Sequence, residues 1–268
     1  MILDLSSENL IIFVGAGVSK NSNVPTWGAL VRQYAYALGY KQELSTDDYL
    51  KIPQYFYSSD DSYHHEAYYN ILKDSFKDHY DTNILDDLIV SMKPDHIITT
   101  NYDHLLDHYS YEVITSDRDL LKSKGSHFLL KMHGDLDCIE EIVFREDDYL
   151  RYSQTHSIME LYIKSLLIDH TFLFVGYSLN DYNLKTFMSW IDYLGIENNV
   201  KESMHSHYLI TNDILPQQDY LISYYKQKHI EVININSMSE ELIEESKNVD
   251  LEDDIGRRTY VVLKHIKR

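Results

Sequence analysis

Five short clusters of polar or glycine residues each close a run of apolar β-formers. They are Gly15-Ala16-Gly17-Val18-Ser19, Thr100-Asn101-Tyr102-Asp103, His133-Gly134-Asp135, Gly176-Tyr177-Ser178 and the late Asn234-Ile235-Asn236. Glycines just past a strand let backbone N–H groups approach a pyrophosphate, with the following helix adding a favourable dipole. They serve equally well where a strand-to-helix turn is merely tight. Lys20 occupies the third glycine position of G-x-G-x-x-G, and no Gly-Lys-Ser/Thr is present, so this is not a nucleotide P-loop. Asn101 can offer its amide to a ribose hydroxyl or a water. Asn101 or Asp103 can instead cap a helix carrying Leu105 and Leu106. Histidine titrates near neutrality and suits general base work. Of 14 histidines, His133 stands out because it sits between a buried run and Gly134-Asp135, whereas His64, His65 and His104 lack that setting and read as solvated. Gly176 and Ser178 can serve a phosphate or ribose, or form one more turn capped by Ser178, Asn180 or Asp181.

These clusters need a frame that brings them together. Strand-like runs cover residues 10–14, 96–99, 128–132, 171–175, 207–210 and 231–235. Most are continuously apolar, as strands buried on both faces of a parallel sheet are. Helical stretches at 26–38, 63–79, 83–92, 157–169, 181–194 and 215–227 alternate with them. That alternation predicts a doubly wound α/β fold. Ligands of such sheets bind beyond the carboxyl ends of the strands, which is where the clusters fall. The long interval at about 28–95 reads as an inserted helical subdomain within a single 1–268 domain, with Pro53 at a helix boundary.

Composition narrows the partners. The formal net charge is −19, which makes nucleic acid a poor partner, since phosphate binding needs clustered Lys and Arg. No run of about 18 apolar residues suggests a membrane span, and the first residues lack the basic-then-apolar pattern of a secretion signal. Cys138 is the single cysteine, which excludes an internal disulfide and a multi-cysteine zinc site and fits a reducing cytoplasm. The 24 tyrosines read mostly as core-edge and interface packing.

In order, GAGVS, VPTW, TTNYD, HG, GYS and IN resemble the sirtuin family, over about residues 13–236. The resemblance implies a Rossmann-like doubly wound sheet in which Gly15, Ala16, Gly17 and Ser19 cradle NAD+. It implies that Asn101 and Asp103 surround the nicotinamide ribose, that His133 is the catalytic base and that Trp27 lies near the nicotinamide. Gly176, Ser178 and Asn234 are then expected on the adenosine side. Protein deacylases of this family carry a four-cysteine zinc module after the histidine-glycine. Residues 135–170 hold only Cys138, so no zinc ribbon and no metal are expected. This departure is similar to the sirtuin-like domains of bacterial anti-phage defence, which include the NAD-cleaving effector of the Thoeris system and proteins paired with HerA-type ATPases. The implied activity is hydrolysis of NAD+ to nicotinamide and ADP-ribose in abortive infection. Control by a homo-oligomer, a HerA-type ATPase or another defence protein is implied with it. An NAD-dependent protein deacylase and a non-catalytic NAD or ADP-ribose-binding scaffold are the alternatives. The chain fits a complete protein or the effector half of a longer one.

Overall fold

The computed structural model describes residues 3–5, 9–45, 47–59, 62–179, 181–197 and 205–266. Seven strands form one sheet: β1 (Leu10–Val14), β2 (His96–Thr99), β3 (Glu112–Ile114), β4 (Phe128–Lys131), β5 (Thr171–Val175), β6 (His207–Thr211) and β7 (Ile230–Asn234). Every pairing is parallel and the order is β3-β4-β2-β1-β5-β6-β7. Without edge strand β3, the order is that of a dinucleotide-binding sheet, with its reversal between β1 and β5. The doubly wound α/β expectation is met, with one strand more than the sequence suggested. β3 is only three residues long and begins on the exposed Glu112, so it carries no apolar run.

The helices are α1 (Ala16–Ser19), α2 (Trp27–Ala37), α3 (Asp48–Tyr57), α4 (Ser62–Ser75), α5 (Ile84–Ser91), α6 (Asp117–Lys122), α7 (Glu146–Leu150), α8 (Tyr152–Thr155), α9 (Ser157–Asp169), α10 (Tyr182–Glu197), α11 (Asp219–Gln227), α12 (Glu240–Ser246) and α13 (Asp254–Lys264). Successive β1 residues face opposite sides. Ile11 and Phe13 enter a core with α9 and α10; Leu10, Ile12 and Val14 enter another with α5 and α13. Within the long interval after β1, α2–α4 build a third core from Leu30, Tyr34, Ile52, Phe56 and Leu72, closed by Ile139, Ile142 and Phe144. Pro53 lies inside α3, not at its boundary. It forgoes one helix hydrogen bond while its ring is buried beside Ile52 and Phe56. α5 packs on the sheet, and its cap Asn83 donates to Val18 O (3.2 Å) and Ser22 Oγ (2.9 Å), tying that helix to the turn after β1. Among the described residues no helix is long and apolar enough to cross a membrane.

Register sets the site. Val14 pairs with Thr99 and with Val175, and Thr99 pairs with Lys131. Four adjacent strands thus end level, across roughly 14 Å at the usual strand spacing, and each releases one of the clusters.

Two histidines hold the opposite end. The backbone N–H of Phe128 donates to His96 Nδ1 (3.1 Å), and that of Phe172 donates to His207 Nδ1 (3.1 Å). Both imidazoles accept only while neutral, and burial pushes their pKa values down to about 4 and about 3. The unfolded chain therefore binds more protons than the folded one between those values and about 6.5. Their contribution to stability is complete above pH 6.5 and is lost as pH falls. Asparagine keeps an acceptor near the Nδ1 position and cannot titrate. The double variant H96N/H207N is expected to melt lower than wild type at pH 7.5 yet lose less melting temperature between pH 7.5 and 5. An equal or larger acid loss in the double variant contradicts this assignment.

Candidate active site

The turns after β1 and β5 are pressed together. Gly15 N–H donates to Val175 O (2.8 Å) and Gly17 N–H to Gly176 O (3.0 Å). A Cβ on Gly15 would lie 2.6 Å from Gly176 O, and Gly176 itself has φ +80°. The steric reading of these glycines is therefore met directly: only residues without Cβ permit this backbone approach. The Gly15 and Gly17 amides, expected to cradle phosphate, are engaged by backbone carbonyls.

Asn101 Nδ2 donates to Ser19 Oγ (2.8 Å), and the Ser19 hydroxyl pairs with the Asp103 carboxyl. Ser19 is thus buried as a bridge between Asn101 and Asp103. Asp103 Oδ1 accepts from Leu105 N–H (3.2 Å). The residues that follow form turns, not the helix expected there, because Leu105 and Leu106 bury on this local turn instead. Burial raises the Asp103 pKa, so its site resists a full negative charge.

His133 is 3% exposed, between the rings of Tyr149 (5.1 Å) and Tyr152 (5.9 Å). Burial, and then His156, push its pKa down to about 3, so the imidazole is neutral near pH 7. Gly134 follows at φ +84°, which turns the chain sharply after it.

Ala16, Ser19, Trp27, Asn101, Asp103, His133 and Gly176 all line one cavity of about 90 Å³, closed further by Tyr149, Tyr177 and Asp181. A second cavity of about 180 Å³ is lined by Gly17, Gly176, Ser178, Asn212 and Gly256. Tyr177 lines both. Its ring stacks on Phe13 (4.9 Å), and its hydroxyl donates to Val14 O (3.1 Å) and pairs with Thr100 Oγ1 (2.9 Å). Trp27 also faces an open groove of about 660 Å³ shared with Tyr49, Lys51 and Lys185.

Other expectations land elsewhere. Asn234 lines neither cavity: its Nδ2 donates to Ile214 O (3.0 Å) and its Oδ1 accepts from Asn236 N–H (3.0 Å). It holds the 212–214 loop in place. Asp181 takes the local capping role, accepting from Asn183 N–H (2.8 Å), and Asn180 lies outside the described residues. His64 sits half-buried edge-on to Phe56, and His104 lies among carboxylates, so neither is simply solvated. Tyr149 and Tyr177 are not singled out, because nothing in the sequence ranks one of 24 tyrosines above the rest; Asp181, read only as a cap, also lines the cavity.

Behind the cavity lies Lys131, wholly buried. Its ammonium bonds to Asp135, to both Asp107 oxygens (3.3 Å each), and to the carbonyls of Tyr102 (3.3 Å) and Asp103 (2.8 Å). His104 Nδ1 joins through Asp107 (2.8 Å). His104, Asp107 and Asp135 are spaced as metal ligands could be, but the Lys131 ammonium already pairs with both carboxylates.

Residues 95–233 match the family of SIR2-like domains. The chain is also similar to three curated proteins. It is 37% identical to defense-associated sirtuin 2 of Bacillus subtilis over 247 residues, 87% of this chain and 24% of that protein. It is 30% identical to NAD(+) hydrolase ThsA of Cytobacillus dafuensis over 195 residues, 70% of this chain and 39% of that protein. It is 27% identical to NAD(+) hydrolase ThsA of Enterococcus faecium over 222 residues, 80% of this chain and 45% of that protein. The chain thus spans less than half the length of each.

The matched segment contains the lysine clamp. Removing one partner of a buried ion pair leaves uncompensated charge and costs about 3–5 kcal/mol. Lys131→Met, of similar volume, is therefore expected to lower the unfolding free energy by about that amount in denaturant titrations. A loss under about 1 kcal/mol would mean that the carboxylates find water instead.

Proposed function

Because the chain belongs to the family of SIR2-like domains, we propose that it hydrolyses NAD+ to nicotinamide and ADP-ribose as a cytoplasmic effector of anti-phage defence. The observation that carries this reading is the meeting of the Asn101 amide and the neutral His133 imidazole in one cavity at the strand-order reversal. Relatives named NAD(+) hydrolase and defense-associated sirtuin support it.

Nicotinamide leaves neutral from a cationic ring, so its bond to the ribose is already labile. The enzyme has to orient the ribose, tolerate oxocarbenium character at C1′ and deliver water. Asn101, oriented by Ser19 and through it by Asp103, holds the water or a ribose hydroxyl. His133 takes a proton as the water oxygen bonds to C1′. Trp27 and Tyr149 wall the nicotinamide end, and no metal enters the step. The pyrophosphate crosses the Gly15–Gly17 and Gly176–Ser178 turns. The adenosine end goes to the second cavity, beside the loop that Asn234 holds.

Each cavity is smaller than the roughly 300–1,000 Å³ of a typical small-molecule site. A dinucleotide spanning both displaces the Tyr177 side chain, which lines both. Control by self-assembly, by a HerA-type ATPase or by another defence protein acts at that step. The α2–α4 helices, inserted in the single domain, offer a surface for it.

Nicotinamide release from NAD+ is the direct test. His133→Ala and Asn101→Ala are each expected to lower kcat by about 10²–10⁴. NAD+ binding without release in any assembly state would make the chain a binding module.

The pH profile is a separate check. With its pKa near 3, His133 remains an unprotonated base throughout pH 5–8, so kcat should show no acid limb near pH 6.5. A limb there would mean that His133 titrates as an exposed histidine.

A further inference from the structure

His133 also lines a third cavity of about 100 Å³, which adjoins the first through Tyr149 and Asn183 and is lined further by Tyr152, Glu160 and Trp190. Glu160 lies in the first turn of α9 and is only 8% exposed. Its Oε1 accepts from Lys164 Nζ one turn on, while its Oε2 is buried without a hydrogen-bond partner. An exposed Glu–Lys pair would avoid the cost of burying an unmatched carboxylate oxygen. Tyr152 does not satisfy that oxygen, because its hydroxyl hydrogen is donated to Met132 O (3.1 Å). Lys164 lies over the Trp190 ring (4.8 Å) with its side chain 34% exposed, so this end of the cavity reaches the surface. A cavity of this size has room for several waters, each needing about 10–15 Å³ of this kind of volume, and Ser153, Glu160 and Asn183 are among the polar side chains that line it.

The proposed hydrolysis creates a problem that this cavity answers. The C1′–O bond forms as the C1′–N bond breaks, the nitrogen keeping that electron pair. One water proton goes to His133. Each turnover therefore leaves an imidazolium where burial disfavours charge, with ribose and nicotinamide filling the other cavity. We propose that Glu160 receives that proton through water in this third cavity and passes it to solvent, restoring neutral His133. The inference rests on the hydrolase reading. Glu160 acts through His133 and positions this water; it does not touch substrate. No oxidant or reductant is needed, since one proton enters and one leaves.

Glu160→Gln and Glu160→Asp in the full 268-residue chain test it. E160Q is expected to lower kcat for nicotinamide release by roughly 10- to 100-fold, less than loss of the base itself, with KM for NAD+ within about 2-fold. E160D recovers most of the loss. Full kcat in E160Q, in a protein that His133→Ala inactivates, overturns the relay. So does a fall in E160Q that E160D shares equally with a matching rise in KM. The ¹⁵N shifts of the His133 imidazole at pH 7 give a readout independent of turnover, because a ring nitrogen's protonation follows its hydrogen-bond partner. A shift in E160Q supports the relay; identical spectra overturn it. If wild type releases no nicotinamide in any assembly state, the hydrolase reading fails on its own, and the ¹⁵N shifts still decide whether Glu160 and His133 are linked.

Discussion

One buried ammonium determines where the two chemical residues stand. Lys131 ends β4 in register with Thr99 of β2, and its Nζ reaches back across both strand ends. Burying a lysine is prohibitive unless it is paired and fully hydrogen-bonded. Here Asp107, Asp135 and the carbonyls of Tyr102 and Asp103 meet that demand. These partners bracket the site. Asn101 immediately precedes the two residues whose carbonyls accept from Lys131, and His133 lies between Lys131 and Asp135 in the chain. The first loop runs in turns, and Asp135 also caps the short 3-10 helix, Leu136–Glu141, that follows the second. A single desolvated charge therefore fixes the separation of an amide and an imidazole that belong to different crossovers. A hydrophobic residue could fill the same volume, but it would not select one loop geometry.

The second constraint is the contact between the turns after β1 and β5. Gly15 and Gly176 approach so closely that either Cβ would clash with the other's carbonyl. This contact spans the strand-order reversal, where an open α/β sheet offers its crevice. It also engages the Gly15 and Gly17 amides that a phosphate would otherwise use. Access to these amides is thus coupled to the packing of the two turns. Loosening Gly15–Val175 and Gly17–Gly176 would release the amides and move Tyr177, which follows Gly176 and lines both cavities.

The sheet was legible because buried parallel strands are continuous apolar runs, and the site was legible because its residues end those runs. Both signals depend on contrast along the chain. Where contrast is absent, the reading stops. β3 has three residues and an exposed Glu112. Lys131 at a strand end looks solvated until its partners are known. His96 and His207 open strands like any polar boundary residue, and their role as acceptors for a neighbouring strand is a tertiary fact. Asn234 had the right type and place at a strand end, but its side chain holds the adjacent 212–214 loop. Pro53 reads as a breaker because sequence counts the lost hydrogen bond and not the burial of the ring.

The interior charge runs against the chain's composition. At −19 overall, the protein would repel a pyrophosphate if its acids faced the cavity ionised. Instead, burial raises the pKa of Asp103 and of Asp181 and lowers that of His133. All three shifts have the same leading cause, desolvation, and all three move the wall towards neutrality. The dryness of this cavity of about 90 Å³ is therefore also the condition that keeps His133 unprotonated and the two acids weak. An opening that admitted bulk water would reverse each shift at once, moving Asp103 and Asp181 back towards ordinary carboxylates and His133 towards an ordinary histidine. Productive opening has to exchange Tyr177 for ligand while keeping that wall dry, and the stacking of Tyr177 on Phe13 makes this side chain the natural element to exchange.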